Sequence, residues 1–466
     1  MKKLVRGGTV VAASGIFMAD VLIEGDKIAG IGHFDDLGDS ASEKELEIID
    51  AQDCIIVPGG IDAHTHIDFP LKGFRSNDDY WSGTCSAVAG GTTTIAVFLP
   101  APRTDESLAE NIRGARIAGD ENVVSDYCFQ QTLSSLSPSM LGEIPRLVAA
   151  GYPGFKVFLG SDIAMNDRDI LRVMEILRKC GGQLLVNGGN LGMEQFATGA
   201  LTSAERADLS NYGRNRPEVI EAEGLSRAAY LARLTGMPIY AVHISSAQAL
   251  GEIKKARAAG CSVVAETCPQ YLLLSDGKYK LNYQEALKYT LNPPLRDRSN
   301  FEPLWSGLAE GSLDIVSSDH CPFNLHGQKD QSPSDFLKVP NGLPGIEPRL
   351  LLLYSEGVCA HRLSLRRFVE VVSTNPAKYL GLYPRKGTIV AGSDADIAII
   401  DPRPDVIFSK RSMFERNDYT PYESMPRHGT IRATLVRGEV VFDAERGIIA
   451  QKGFGRYLPR FFGNST

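Results

Sequence analysis

Within Gly60-Ile61-Asp62-Ala63-His64-Thr65-His66-Ile67-Asp68, two imidazoles stand two residues apart at the end of an apolar run. On a β-strand, side chains at i and i+2 share a face, so both rings would aim at one point. Neutral imidazole is a natural ligand for a divalent metal. Other segments carry compatible chemistry: His243 in Val242-His243-Ile244-Ser245, Asp319 in Ser318-Asp319-His320-Cys321, and Lys156 in Phe155-Lys156-Val157-Phe158. Each also has an ordinary reading, as a satisfied core histidine, a turn-capping aspartate or a lysine snorkelling to a rim. A lysine held among apolar neighbours has a depressed pKa and spends time as a free amine. Such an amine can add carbon dioxide, giving a carbamate able to bridge two metals.

These residues converge only if the elements that carry them do. Candidate strands are the run before His64, then 93–99, 123–130, 155–159, 183–187, 239–245, 262–266 and 314–318. Helix-period segments such as Asp169–Leu177 and Ala222–Leu234 alternate with them. Eight strands alternating with helices is the count of a (β/α)8 TIM barrel, with a doubly wound open sheet as the alternative. Barrel enzymes hold their chemistry at the C-terminal strand ends. Those ends read His64 and His66, Lys156, Asn187, His243, Glu266 and Asp319. Both ends of the chain alternate in strand fashion, as in Asp20-Val21-Leu22-Ile23-Glu24 and Asp396-Ile397-Ala398-Ile399-Ile400.

At 466 residues the chain can bury a large core, and a net charge of −7 without like-charge blocks points to neither nucleic acid nor an anionic membrane. No apolar run is long enough to span a bilayer. The eight cysteines form no Cys-x-x-Cys pair and read as reduced, mostly buried thiols of a cytoplasmic protein.

The order Gly-Gly-Ile-Asp-x-His-Thr-His, Phe-Lys-Val-Phe, Val-His-Ile-Ser, Glu-Thr-Cys-Pro-Gln-Tyr, Asn-Pro-Pro-Leu-Arg and Ser-Asp-His-Cys-Pro-Phe resembles the cyclic amidohydrolases, most closely their hydantoinase/dihydropyrimidinase branch. The likeness runs over nearly the whole chain. It implies a barrel over residues 57–384 and a small β-sandwich built from 1–56 and 385–466. It further implies that His64, His66 and Asp319 ligate zinc, that carboxylated Lys156 bridges to a second metal, and that His243 ligates that second ion. Asp319 would pass the proton from the attacking hydroxide to the leaving nitrogen, while Asn292, Asn341 and the residue at Ser161 would face the substrate. Members of the family assemble as dimers and tetramers, so a homo-oligomer is expected, with Gly453–Arg460 as the segment reaching a neighbouring subunit.

Two departures stand at the reacting centre. The family's strand-five histidine, the other ligand of the second metal, is Asn187 here, and a carboxamide oxygen is the weaker ligand. One tightly held metal is therefore expected, with the second site weakened or empty. Hydantoin-cleaving members carry an oxyanion-binding tyrosine where this chain has Ser161, and losing one such donor typically costs ~10²–10³ in rate. Asp68 stands where dihydroorotate-cleaving members have arginine. The leading expectation is a metal-dependent hydrolase of a cyclic amide or ureide. The alternatives are a catalytically impaired scaffold on the same fold and a hydrolase of an acyclic amide or ester.

Overall fold

The computed structural model describes residues 2–12, 15–34 and 46–462. Eight parallel strands, Gly60–Thr65, Thr92–Leu99, Asp126–Thr132, Gly154–Phe158, Gln183–Asn187, Ile239–Ala241, Val263–Thr267 and Ile315–Val316, pair in chain order. The ring closes where Asp319 N donates to the His64 carbonyl at 3.0 Å and His66 N to the His320 carbonyl at 2.7 Å. The histidine pair and the aspartate are thus drawn together by the closure itself. The fold is a TIM barrel, not an open doubly wound sheet.

The strands follow their sequence. Thr92–Leu99 is buried at every position, as expected of a strand covered on both faces. The sixth and eighth strands end earlier than their apolar runs suggest, because the backbone turns into the left-handed region at His243 (φ 39°) and Asp319 (φ 51°). Helix Asp167–Cys180 shows how the connections are specified. Asn166 accepts from Asp169 N at its start, acidic residues fill the first turn, Arg178 and Lys179 fill the last, and left-handed Gly181 ends it. Gly224, on helix Glu218–Thr235, lets that helix press against the turn after the fifth strand. A Cβ there would lie 2.1 Å from Gly189 N.

Strands from both ends of the chain form a separate nine-stranded sheet. Its long first strand, Lys2–Ala12, pairs with Leu46–Asp50 along Lys2–Arg6 and with Ile55–Pro58 at Thr9 and Val10, so the sheet forks along it. Period-two alternation gives this sheet two apolar faces. Ile397 and Ile399 enter its own core with Val5, Val10, Val21 and Ile56, whereas Ala398 and Ile400 pack toward the barrel.

The C-terminal segment, expected to reach a neighbouring subunit, is engaged with its own barrel. Leu458 N donates to the Tyr127 carbonyl at 2.8 Å, and fully buried Arg460 donates to the Phe129 carbonyl at 2.7 Å and to Gln183 Oε1 at 3.1 Å. Among the described residues no helix is long and apolar enough to cross a membrane.

Candidate active site

A cavity of about 950 Å³ opens at the C-terminal end of the barrel strands. His66, Lys156, Ser161, Asn187, His243, Asn292, Asp319 and Asn341 all line it, and His64 lies behind them with no solvent exposure. The structure therefore brings every site residue read from the sequence to one place.

Three of them meet at a point. His64 Nε2 is 3.2 Å from His66 Nε2, and Asp319 Oδ1 lies 3.2 Å from the first and 3.3 Å from the second. His64 Nδ1 faces Glu266 Oε1 at 2.8 Å, which places the ring proton on Nδ1 and leaves the Nε2 lone pair aimed at the meeting point. Glu266 also accepts from His243 N at 3.0 Å and from the Tyr240 hydroxyl at 2.5 Å. Burial, helped by nearby Lys156, lowers the His64 pKa to about 3, and burial lowers that of His66 to about 4. Both rings are neutral ligands at pH 7. Burial alone would raise the Asp319 pKa, but His64, His66 and His243 reverse this and keep the carboxylate charged.

Lys156 is 1% exposed, with Nζ 3.1 Å from His64 Nε2 and 4.4 Å from the centre of the Phe98 ring. Burial lowers its pKa to about 8. His243 Nε2 is 2.8 Å from Asn187 Nδ2. Ser161 Oγ is buried without a hydrogen-bond partner, while Ser161 N donates to Glu194 Oε2 at 3.0 Å. Ser161, His243 and Asp319 all have positive φ without being glycine (69°, 39° and 51°), a conformation costing about 1–3 kcal/mol each that tends to cluster at functional sites.

Residues 216–441 match the amidohydrolase family. Over 463 residues the chain is 38% identical to the D-hydantoinase of Geobacillus stearothermophilus, covering 99% of this chain and 97% of that one. The D-phenylhydantoinase of Escherichia coli O1:K1 is 36% identical, with 99% and 98% covered. The dihydropyrimidinase structure from Brevibacillus agri superposes with a TM-score of 0.94 at 37% identity, covering 99% of each chain. The chain belongs to the hydantoinase branch of the cyclic amidohydrolases. As a cyclic amidohydrolase it is an enzyme, and its His-His-Asp group is suited to holding a metal ion.

Sequence reading missed part of this cyclic amidohydrolase's cavity wall. Glu194, Tyr212 and Arg216 come from the stretch between the fifth strand and helix Glu218–Thr235, and they are joined in the wall by Lys72, from the tip of hairpin Pro70–Leu71/Phe74–Arg75. Tyr212 Oη donates to Asn341 Oδ1 at 3.1 Å, and Lys72 Nζ reaches the same oxygen at 3.4 Å. Asn341 therefore turns its amide NH2 away from them, leaving it free to donate. Glu266 was visible at a strand end, but it holds His64 rather than joining the meeting point.

Proposed function

We propose that this cyclic amidohydrolase opens a ring amide of a cyclic amide or ureide, such as a hydantoin or dihydropyrimidine, at a centre with one tightly bound zinc. The convergence of His64 Nε2, His66 Nε2 and Asp319 Oδ1 carries the reading. Two imidazoles and a carboxylate are a donor set that zinc accepts, leaving room for a further ligand. A bound ion there supplies Lewis acidity and lowers the pKa of water.

The protein's own groups do the rest. Asp319 Oδ2 has no hydrogen-bond partner among the described residues, so it is free to take a proton from the attacking water and return it to the leaving ring nitrogen. The ring carbon–nitrogen bond breaks, the carbonyl carbon gains the hydroxyl, and the nitrogen gains the proton. Asn292 and Asn341 hold the amide edge of the ring, and Ser161 Oγ is available to donate to the developing oxyanion. Lys156, whose depressed pKa favours the free amine, adds carbon dioxide with loss of a proton and offers the carbamate as a further anionic ligand. In this reading residues 57–384 are the catalytic barrel, with 1–56 and 385–466 as its sheet domain.

Asn187 supports the single-metal assignment, because its amide already engages His243 Nε2. Purified protein grown with zinc should contain about one ion per chain, and Asn187→His should raise this toward about two. Hydantoin and dihydrouracil turnover is measured on both. Metal-free protein without turnover of either ring would sink the proposal, and an Asn187→His variant that gains metal yet turns over no ring would favour the scaffold reading.

A further inference from the structure

The cavity is larger than its chemistry needs. At about 950 Å³ it stands at the upper end of pockets that enclose a drug-sized ligand, whereas an unsubstituted five- or six-membered ring is much smaller. The surplus space has apolar lining, including Phe69, Phe158 and Phe336, and it also holds three cationic side chains: Lys72, Arg206 and Arg216.

Their charges are incompletely spent. Lys72 Nζ donates to the carbonyls of Leu337 (2.6 Å) and Val339 (2.9 Å), and none of the described carboxylates ion-pairs with it. Arg216 uses only Nε, which donates to Glu194 Oε2 at 3.0 Å; its two terminal nitrogens make no hydrogen bond among the described residues. Arg206 reaches Asp335 only at 3.9 Å and Ser203 Oγ at 3.5 Å, and among the described residues its buried Nε has no partner. Asp162 also lines the cavity, and it forms no ion pair with any of the three. Lys72 stands exposed at the cavity mouth, with Arg216 close enough to disfavour its charge and Asp162 and Asp335 close enough to favour it. Like charges gathered in a partly apolar cavity cost free energy that a bound anion relieves. An arginine with both terminal nitrogens free presents the fork that fits a carboxylate.

We propose that this wall is a carboxylate subsite, with Arg216 as the fork and Lys72 and Arg206 as supporting charges, and that the ring substrate carries an anionic arm on a ring carbon. The inference rests on the ring-opening function proposed above. It places specificity in residues remote from the metal-binding group, since Asp68 offers no cation beside the histidine pair.

The decisive comparison is between 5-(2-carboxyethyl)hydantoin and its uncharged isostere 5-(2-carbamoylethyl)hydantoin, assayed with the zinc-loaded protein. A charge-assisted bidentate contact should favour the carboxylate by roughly 10- to 100-fold in kcat/KM. Arg216→Gln and, independently, Lys72→Gln should each narrow that ratio, which guards against one variant failing to fold. Equal turnover of the two rings, or a ratio that neither variant moves, overturns the subsite. If neither ring is opened, the ring-opening function fails. The subsite is then decided by calorimetry with the open-chain forms, N-carbamoylglutamate and N-carbamoylglutamine. Selective binding of the former that weakens in Arg216→Gln upholds it, and equal or absent binding overturns it.

Discussion

At the scale of single residues, the site is organised by a buried carboxylate that does not touch the meeting point. Glu266 is fully buried and fixes three groups: the His64 ring, the backbone at His243 and the Tyr240 hydroxyl. Groups that orient a metal-binding histidine typically contribute 10- to 100-fold in affinity. Glu266→Ala should therefore weaken zinc binding by about 10- to 100-fold while leaving the three converging side chains in place, as measured by competition with a chelator. Unchanged affinity would mean that packing alone holds His64. The converging residues were legible because each sits at a strand end, where barrel topology dictates convergence. The left-handed backbone at His243 and Asp319 was not, since His and Asp, though enriched at positive φ, adopt it at only a small minority of their positions. Nor was Arg216, whose position depends on where a long connection comes to rest against the barrel.

Elements were easier to read than residues wherever one physical period governed them. Alternation in Ile397–Ile400 correctly indicated strand, and the structure adds that both faces are apolar because one serves the sheet and the other the barrel. The C-terminal segment was harder to read, because Gly453–Arg460 has no period and its packing on the barrel rests on the separate side chains of Tyr457, Leu458 and Arg460. Arg460 fills the space beneath the third and fifth strands, where it donates to Phe129 O, Gln130 Oε1 and Gln183 Oε1. Removing it strands buried acceptors and leaves a void. Arg460→Ala should cost about 2–4 kcal/mol in urea unfolding, far more than loss of a loosely attached tail. A change within about 0.5 kcal/mol would show that the segment is dispensable to the barrel.

For the whole molecule, the two lobes are joined by contacts whose strength should depend on pH. Between strands Ile397–Ile407 and Pro426–Val436 the chain leaves the sheet and returns to the barrel, where Arg416 N donates to Asp78 Oδ1 at 3.1 Å and Phe414 N to Glu347 Oε2 at 2.7 Å. Beneath this strap lie buried Asp78 and His320 and half-buried Glu347, with buried Glu415 reaching down from the strap itself, and His320 Nε2 is 3.0 Å from Asp78 Oδ2. Burial, reinforced at Glu415 by the neighbouring Glu347 and Asp78, raises the pKa of both glutamates well above the ordinary 4.5. Burial would lower that of His320, but Asp78 and Glu415 raise it above 6.5. A group that binds its proton more tightly when folded stabilises the protein fully below its unfolded pKa, and that stability is lost as pH rises through the folded value. All three groups act in this direction. The lowered pKa of Asp78 acts oppositely, but its contribution is lost only under acid conditions, below the ordinary 3.8. Thermal stability should therefore fall from about pH 4.5, the ordinary glutamate value, through about pH 8, as the glutamates ionise against each other and His320 discharges. Glu415→Gln removes one titrating group while keeping its shape, so its melting temperature should change less over the same interval. If the wild-type protein and this variant give parallel curves, the strap is not held by proton uptake, and the junction between the lobes owes its stability to packing and to hydrogen bonds that do not titrate in this interval.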